Sequence, residues 1–193
     1  ATSATEELRG HGVEAVSALV DLSTFAGAED MIGQAMAAFG RIDVLVNNVG
    51  GTIWMKPFHL YTEEEVELEL ERSLKPTLWG CRAVLPVMVA QDSGSIVNLG
   101  SQSVRGLYRL PYAASKGGVL ALTKVLAMEY GRHGIRINTV SPGGTEIPDR
   151  TTSRLSIRPG EMADDLPQQE GDEYRREMSE DIRNQQAIRR RGT

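Results

Sequence analysis

Residues 94–124 read GSIVNLGSQSVRGLYRLPYAASKGGVLALTK. The apolar run from Ser95 to Leu99 has the composition of a buried strand, and it ends in the small polar residues Gly100, Ser101 and Ser103. After a short loop, Tyr112 opens an apolar helix that carries Lys116 four positions later. At about 3.6 residues per turn, positions i and i+4 share one helix face, so the phenol and the ammonium are expected side by side. A neighbouring cation favours the phenolate of a group whose ordinary pKa is about 10. A phenolate beside a serine hydroxyl at a strand tip can hold an alcohol and take its proton.

Working outward, Val13 to Leu22, Ile42 to Asn47 and Arg136 to Val140 read as further strands. The second of these is a near-continuous apolar run of the kind found in strands covered on both faces. Between them, residues 3–10 read as the end of an amphipathic helix and Phe25 to Phe39 as a helix closed by Gly40. A long helical stretch runs from Thr62 to Gln91. It opens on Thr62-Glu63-Glu64-Glu65, a cap followed by charges that suit a helix amino terminus, and Pro76 and Pro86 are expected to break or kink it. Alternating strands and helices predict a parallel sheet with helices on both faces, whose ligands bind outside the carboxyl ends of the strands. Asp21, Asn48, Ser101 and Pro142-Gly143 fall at such ends. From Asp149 the chain turns polar, reading as a solvated surface segment with a short helix over 172–188.

Composition narrows the function. A chain of 193 residues with 40% hydrophobic and 24% charged residues can bury one sizeable core. A net charge of −5 opposes a nucleic-acid or anionic-membrane surface. The sequence holds no run of apolar residues long enough to span a bilayer, and its first ten residues, ATSATEELRG, do not resemble a signal peptide. Cys81, the single cysteine, leaves no internal disulfide, and His11, His59 and His133 lack metal-ligand spacing with it. These features read as a cytoplasmic, metal-free protein that binds a small molecule and neither nucleic acid nor membrane.

The strand ending in Ser101, the short loop and the run Tyr112-Ala-Ala-Ser-Lys116-Gly-Gly together resemble the short-chain dehydrogenase/reductase family. The resemblance implies an α/β fold with a doubly wound parallel, Rossmann-type sheet, and a single dinucleotide-binding and catalytic domain over 1–193. It places catalytic roles on Ser101, Tyr112 and Lys116. A family asparagine that fixes a proton-relay water falls on Ser73, whose hydroxyl can also hold a water. On the cofactor side, the resemblance sets Asp21 and Leu22 against the adenine and makes Asn48, Val49 and Gly50 a close-approach turn. Lys116 meets the nicotinamide ribose, and Pro142, Gly143 and Thr145 line the nicotinamide. The threonine that usually ends this last turn falls on Ile147, leaving Thr145 as the nearest substitute. NAD is the expected cofactor and NADP the alternative. The family's glycine-rich first turn is not found in the sequence. The expectation is therefore a fold recorded without its first two strands and its last strand, from a longer polypeptide. By the same resemblance, 149–193 becomes a mobile substrate lid, and the helices at 62–91 and 112–130 pair subunits into a homodimer or homotetramer with Cys81 buried.

Within the family, NNVGGTIWMKPF, RSLKPTLWGC, PYAASKGG and PGGTE resemble the bacterial cis-dihydrodiol carboxylate dehydrogenases. That similarity implies hydride transfer from a cyclic cis-dihydrodiol, a carboxylated dienediol, to the nicotinamide, giving a catechol with decarboxylation. Such a substrate calls for an apolar wall, for which Trp54 is the candidate. It also calls for a cation, for which Arg105, Arg109 and Arg150 are candidates, with Arg105 preferred because its loop joins Ser101 to Tyr112. Two alternatives stand beside this reading. One is another short-chain reductase, of 3-oxoacyl or sugar-alcohol type, and the other is a non-enzymatic scaffold.

Overall fold

The computed structural model describes residues 2–143 and, past them, 172–174, 176, 177, 180, 181 and 184. Among these, β1 (Val44–Asn47), β2 (Gly94–Leu99) and β3 (Ile135–Val140) form one parallel sheet in the order β1-β2-β3. The register pairs Asn47 with Asn98 and Asn98 with Thr139, so the three carboxyl ends finish side by side. Parallel neighbours require crossovers, and these are helical. After α1 (Thr2–Gly10) and α2 (Phe25–Phe39), α3 (Glu63–Ser73) and α4 (Lys75–Ala90) link β1 to β2, and α5 (Leu110–Tyr130) links β2 to β3.

The core lies where α2, α4 and α5 meet one face of the sheet. Leu45, Ile96, Ile135 and Ile137 point inward from the strands against Ala28 and Ile32 of α2 and Val84 and Met88 of α4. Leu122 and Leu126 of α5 close the cluster from the side. Period-two alternation sends Val44 and Val46 to the opposite face, where they are 58% and 55% exposed, with no described helix packed there.

α4 approaches β1 closely because Gly80 has no side chain. A Cβ there would stand 2.4 Å from Asn47 Oδ1. The Asn47 amide donates instead to Asn98 Oδ1 at 2.9 Å, and the Asn98 amide donates to Thr123 Oγ1 at 2.9 Å, which ties β1, β2 and α5 together inside the core. Cys81 sits against this ladder, 3.4 Å from Asn47 Nδ2, and is buried as expected. Burial pushes its thiol up to about 11 against the opposing hydrogen bonds of Asn98 and Asn47, which leaves it protonated and inert.

Three of the four expected strands are present, and the long helical stretch divides at Leu74. Pro76 falls in the first turn of α4, where its missing N–H has no intrahelical partner to lose, and Pro86 stays within the helix. Thr62 caps α3 through Glu65 N while the Glu65 carboxylate accepts from Thr62 N, a reciprocal pair at the helix start. The fourth expectation is corrected. Residues 13–21 are not a strand, and Val13, Val16 and Leu19 are 52%, 49% and 88% exposed. A strand forms only where its backbone groups find an edge to pair with, and no described edge meets this segment. Its Ala15 carbonyl accepts from the Arg9 guanidinium instead.

Candidate active site

β2 ends at Leu99, and Ser101 then caps the short 3-10 turn Gln102–Arg105, its Oγ accepting from Ser103 N at 3.0 Å. The same turn is tied to the segment after β3, since Gln102 N donates to the Pro142 carbonyl at 3.0 Å. α5 begins at Leu110 with Pro111 in its first turn and presents Tyr112 and Lys116 on one face. Tyr112 is half-buried, and the Ser101 hydroxyl lies near enough to its phenol to pull the pKa down. Lys116 is buried, with Nζ 5.8 Å from the Tyr112 ring centroid, and it donates to the Leu99 carbonyl at 2.7 Å. Serine, tyrosine and lysine therefore converge at the carboxyl end of β2.

The charge balance at this point differs from the sequence expectation. The Tyr112 phenol lies above its ordinary pKa, not below it, because burial outweighs the downward pulls of the Ser101 hydroxyl and the Arg109 guanidinium, and the Glu69 carboxylate adds to the rise. Burial also pulls the Lys116 ammonium below its ordinary value. In this state the lysine serves the Leu99 carbonyl rather than the phenol.

Beyond β1, Asn48, Val49 and Gly50 form an exposed shelf beside the same strand ends. Gly50 has φ +139°, which only glycine adopts readily, and a Cβ there would lie 3.3 Å from Ser73 Cα and 3.5 Å from Lys116 Nζ. Ser73, fully buried at the end of α3, exchanges hydrogen bonds with Gly51, donating to its carbonyl at 3.2 Å and accepting from its N–H at 3.3 Å. The structure thus brings Ser73, Gly50, Lys116, Tyr112 and Ser101 into one place, with Pro142 and Gly143 exposed alongside.

Other expected site residues lie elsewhere or differ in setting. The Asp21 carboxylate accepts from Ser23 N and Ser23 Oγ at the entry to α2, and Leu22 packs on the hydrophobic core. Trp54 is buried at 3% exposure, with its carbonyl accepting from Tyr61 Oη and its N–H bound to Glu69. Arg105 is exposed at the end of the 3-10 turn, whereas Arg109 is 8% exposed. The Arg109 guanidinium lies over Gly106, 2.9 Å from where a Cβ would sit, and its charge is felt by Tyr112. Thr145, Ile147, Arg150 and most of the lid over 149–193 lie outside the described residues. Of that segment, Tyr174 packs its ring 4.8 Å from that of Tyr108, and Glu177 accepts from Tyr108 Oη, in the loop between Ser101 and Tyr112.

The sequence reading missed two buried acids. Glu65, Glu69 and Ser73 sit one turn apart on a single face of α3, and all three are buried. Glu65 pairs with buried Lys56. Glu69 Oε1 accepts from Ile53 N, Trp54 N and Thr52 Oγ1, while Oε2 is buried with no hydrogen-bond partner. The available signal was their four-residue spacing back from Ser73.

Among the described residues no group of histidine, cysteine, aspartate and glutamate could hold a metal ion, and no helix is long and apolar enough to cross a membrane. Over 148 residues the chain is 54% identical to a 1,6-dihydroxycyclohexa-2,4-diene-1-carboxylate dehydrogenase of Acinetobacter baylyi, covering 77% of this chain and 57% of that protein. A Pseudomonas putida enzyme of the same name is 53% identical over 133 residues, 69% of this chain and 49% of the relative. The chain spans about half the length of these curated relatives. A solved gluconate 5-dehydrogenase from Burkholderia cenocepacia, in complex with NADP and tartrate, superposes with a TM-score of 0.70 at 29% identity, over 75% of this chain and 57% of that one. Residues 1–156 match the short chain dehydrogenase family model, and with the serine, tyrosine and lysine gathered at one strand end, the chain belongs to that family.

Proposed function

We propose that this protein oxidises a carboxylated cyclic cis-dihydrodiol with NAD and forms a catechol as carbon dioxide leaves. The observation that carries the reading is the convergence of Ser101, Tyr112 and buried Lys116 at the carboxyl end of β2, with the Arg109 guanidinium close enough to act on the same phenol. The similarity to two enzymes named for such a substrate supports it.

The residues fit a nicotinamide dinucleotide. Gly50 keeps open the space that a Cβ would fill between Ser73 and Lys116, next to the exposed shelf of Asn48 and Val49. Asn48, Val49, Gly50, Lys116, Pro142 and Gly143 would hold it, and its chemistry there is to accept a hydride. Ser101 donates to the alcohol oxygen of the substrate and Tyr112 takes the hydroxyl proton. Lys116, turned from the Leu99 carbonyl toward the phenol, stabilises the phenolate that begins the step. The ketone formed lies β to the carboxylate, so loss of carbon dioxide needs no further group to drive it. Trp54, held by Glu69 and Tyr61, stiffens the wall on which the ring rests.

Arg109, rather than Arg105, is assigned to the substrate carboxylate, because it is the buried arginine and the one whose field reaches Tyr112. Arg109→Met should raise KM for the carboxylated diol by roughly ten- to a hundred-fold, the worth of a charge-assisted bidentate contact. KM for the uncharged diol of the same ring should hold, and Arg105→Met should leave both values unchanged. Equal KM losses on the two diols would assign Arg109 to loop structure and remove the carboxylate contact from the reading.

A further inference from the structure

Two non-glycine residues among those described have a positive φ, Asp92 at +48° and Tyr108 at +59°. Aspartate visits this left-handed region readily, because its short side chain can bond locally. A tyrosine there is uncommon and strained, and such a residue persists only where its surroundings over-determine it. Tyr108 stands in the loop between Ser101 and Tyr112, directly before Arg109. The Tyr108 carbonyl accepts from Lys56 N at 2.8 Å and from Tyr61 Oη at 3.4 Å. The same hydroxyl lies 2.9 Å from the Trp54 carbonyl, so the loop is tied to the segment that carries Trp54. That segment is itself anchored, since the Lys56 side chain is buried against Glu65. On its outer side the Tyr108 ring packs 4.8 Å from that of Tyr174, and its hydroxyl donates to Glu177. Carbonyl and ring are thus held from opposite directions.

The consequence of the left-handed turn falls on the next residue. Arg109, the last before α5, has φ −146° and ψ 46°, and its guanidinium returns over Gly106. Nε and Nη2 stand 2.9 and 3.0 Å from where a Cβ on residue 106 would sit. Gly106 in turn closes the 3-10 turn that Ser101 opens. A different φ at Tyr108 redirects the chain that follows, which costs either the two bonds to its carbonyl or the return of Arg109 over Gly106.

We propose that Tyr108 is a positioning residue for substrate specificity, whose left-handed main chain, pinned by Lys56 and Tyr61, aims the Arg109 guanidinium at the carboxylate of a ring acid. This rests on the assignment of Arg109 made above. Tyr108 acts through Arg109 and takes no part in hydride or proton transfer. Its strain has a use, because a bidentate contact between guanidinium and carboxylate rewards a fork that is already in place before the acid arrives. The tie from Tyr61 to both the Tyr108 and Trp54 carbonyls keeps the carboxylate partner and the apolar wall at one spacing.

Tyr108→Asn and Tyr108→Val test this as a pair. Both remove the ring and its contacts, and only asparagine accepts a left-handed main chain readily. KM for the carboxylated diol should stay within about threefold of wild type in Tyr108→Asn and rise about tenfold in Tyr108→Val, the scale of left-handed strain in a β-branched residue. KM for the uncharged diol of the same ring, and turnover of both, should not separate the pair. In an Arg109→Met background the valine should add nothing, because the group it acts through is gone. Tyr108→Gly against Tyr108→Ala repeats the contrast with a single methyl group, and it carries the test if the valine protein does not fold. Equal KM for the acid within each pair overturns the proposal, and so does a rise shared equally by the acid and the uncharged diol. Arg109→Met with wild-type KM for the acid retires the carboxylate assignment itself, and the role of Tyr108 with it. That result is distinct from a failure of Tyr108 alone, in which Arg109→Met weakens the acid and the asparagine and valine proteins do not differ.

Discussion

Replacing Tyr112 by phenylalanine should lower turnover by at least ~10²-fold while cofactor affinity changes little. A placed general base contributes about 10²–10⁴-fold, and the phenol is the group that Ser101 and Arg109 both address. The ring stays in place after the substitution, so packing at the start of α5 should survive. Steady-state rates and a fluorescence titration with the dinucleotide separate the two quantities. Turnover near the wild-type value in the purified variant would remove Tyr112 from the chemistry. Because burial holds the phenol above its ordinary pKa and the base form is the deprotonated one, activity in the direction of oxidation should rise with pH as Tyr112 ionises.

Lys56→Met should destabilise the fold by about 3–5 kcal/mol, the usual cost of stranding one member of a buried ion pair. Lys56 and Glu65 are both buried, and their side chains are only 5% and 10% exposed. The remaining carboxylate would keep its bond from Thr62 N and lose its counter-charge. The double variant Lys56→Met/Glu65→Leu should recover much of the loss, because an apolar pair of similar volume carries no desolvation penalty, although the α3 cap is weakened. Denaturant midpoints at constant slope give the comparison. A single variant within about 1 kcal/mol of wild type, the scale of an exposed pair, would mean that this pair is solvated.

Several parts of the fold were legible because the physics is local. The runs at 42–47, 95–99 and 136–140 could be placed as strands, since strands buried in a parallel sheet need apolar side chains at nearly every position. The four-residue spacing of Tyr112 and Lys116 fixed their shared face, and the positions of Pro76 and Gly40 marked a break in the long helical stretch and a helix end. Residues 13–21 failed for a non-local reason. An apolar run shows that a strand can form, not that an edge stands beside it. Glu69 was hidden by its neighbours, since EEEVELELERS reads as a solvated acidic helix start until the fold turns one of its faces inward. The different settings of Arg105 and Arg109 were hidden likewise. Both lie in one short loop, and only the fold shows that Arg109 turns in over Gly106.

Of all measurements, a product assay tests the central claim most directly. The purified protein is supplied with NAD and the carboxylated cis-dihydrodiol, and reduced cofactor, catechol and carbon dioxide are followed together. The Ser101–Tyr112–Lys116 site with Arg109 beside it predicts that all three appear in equal amounts and that Tyr112→Phe suppresses all three alike. Reduced cofactor formed only from uncharged alcohols, or a protein that reduces 3-oxoacyl substrates and leaves the diol acid untouched, would contradict it.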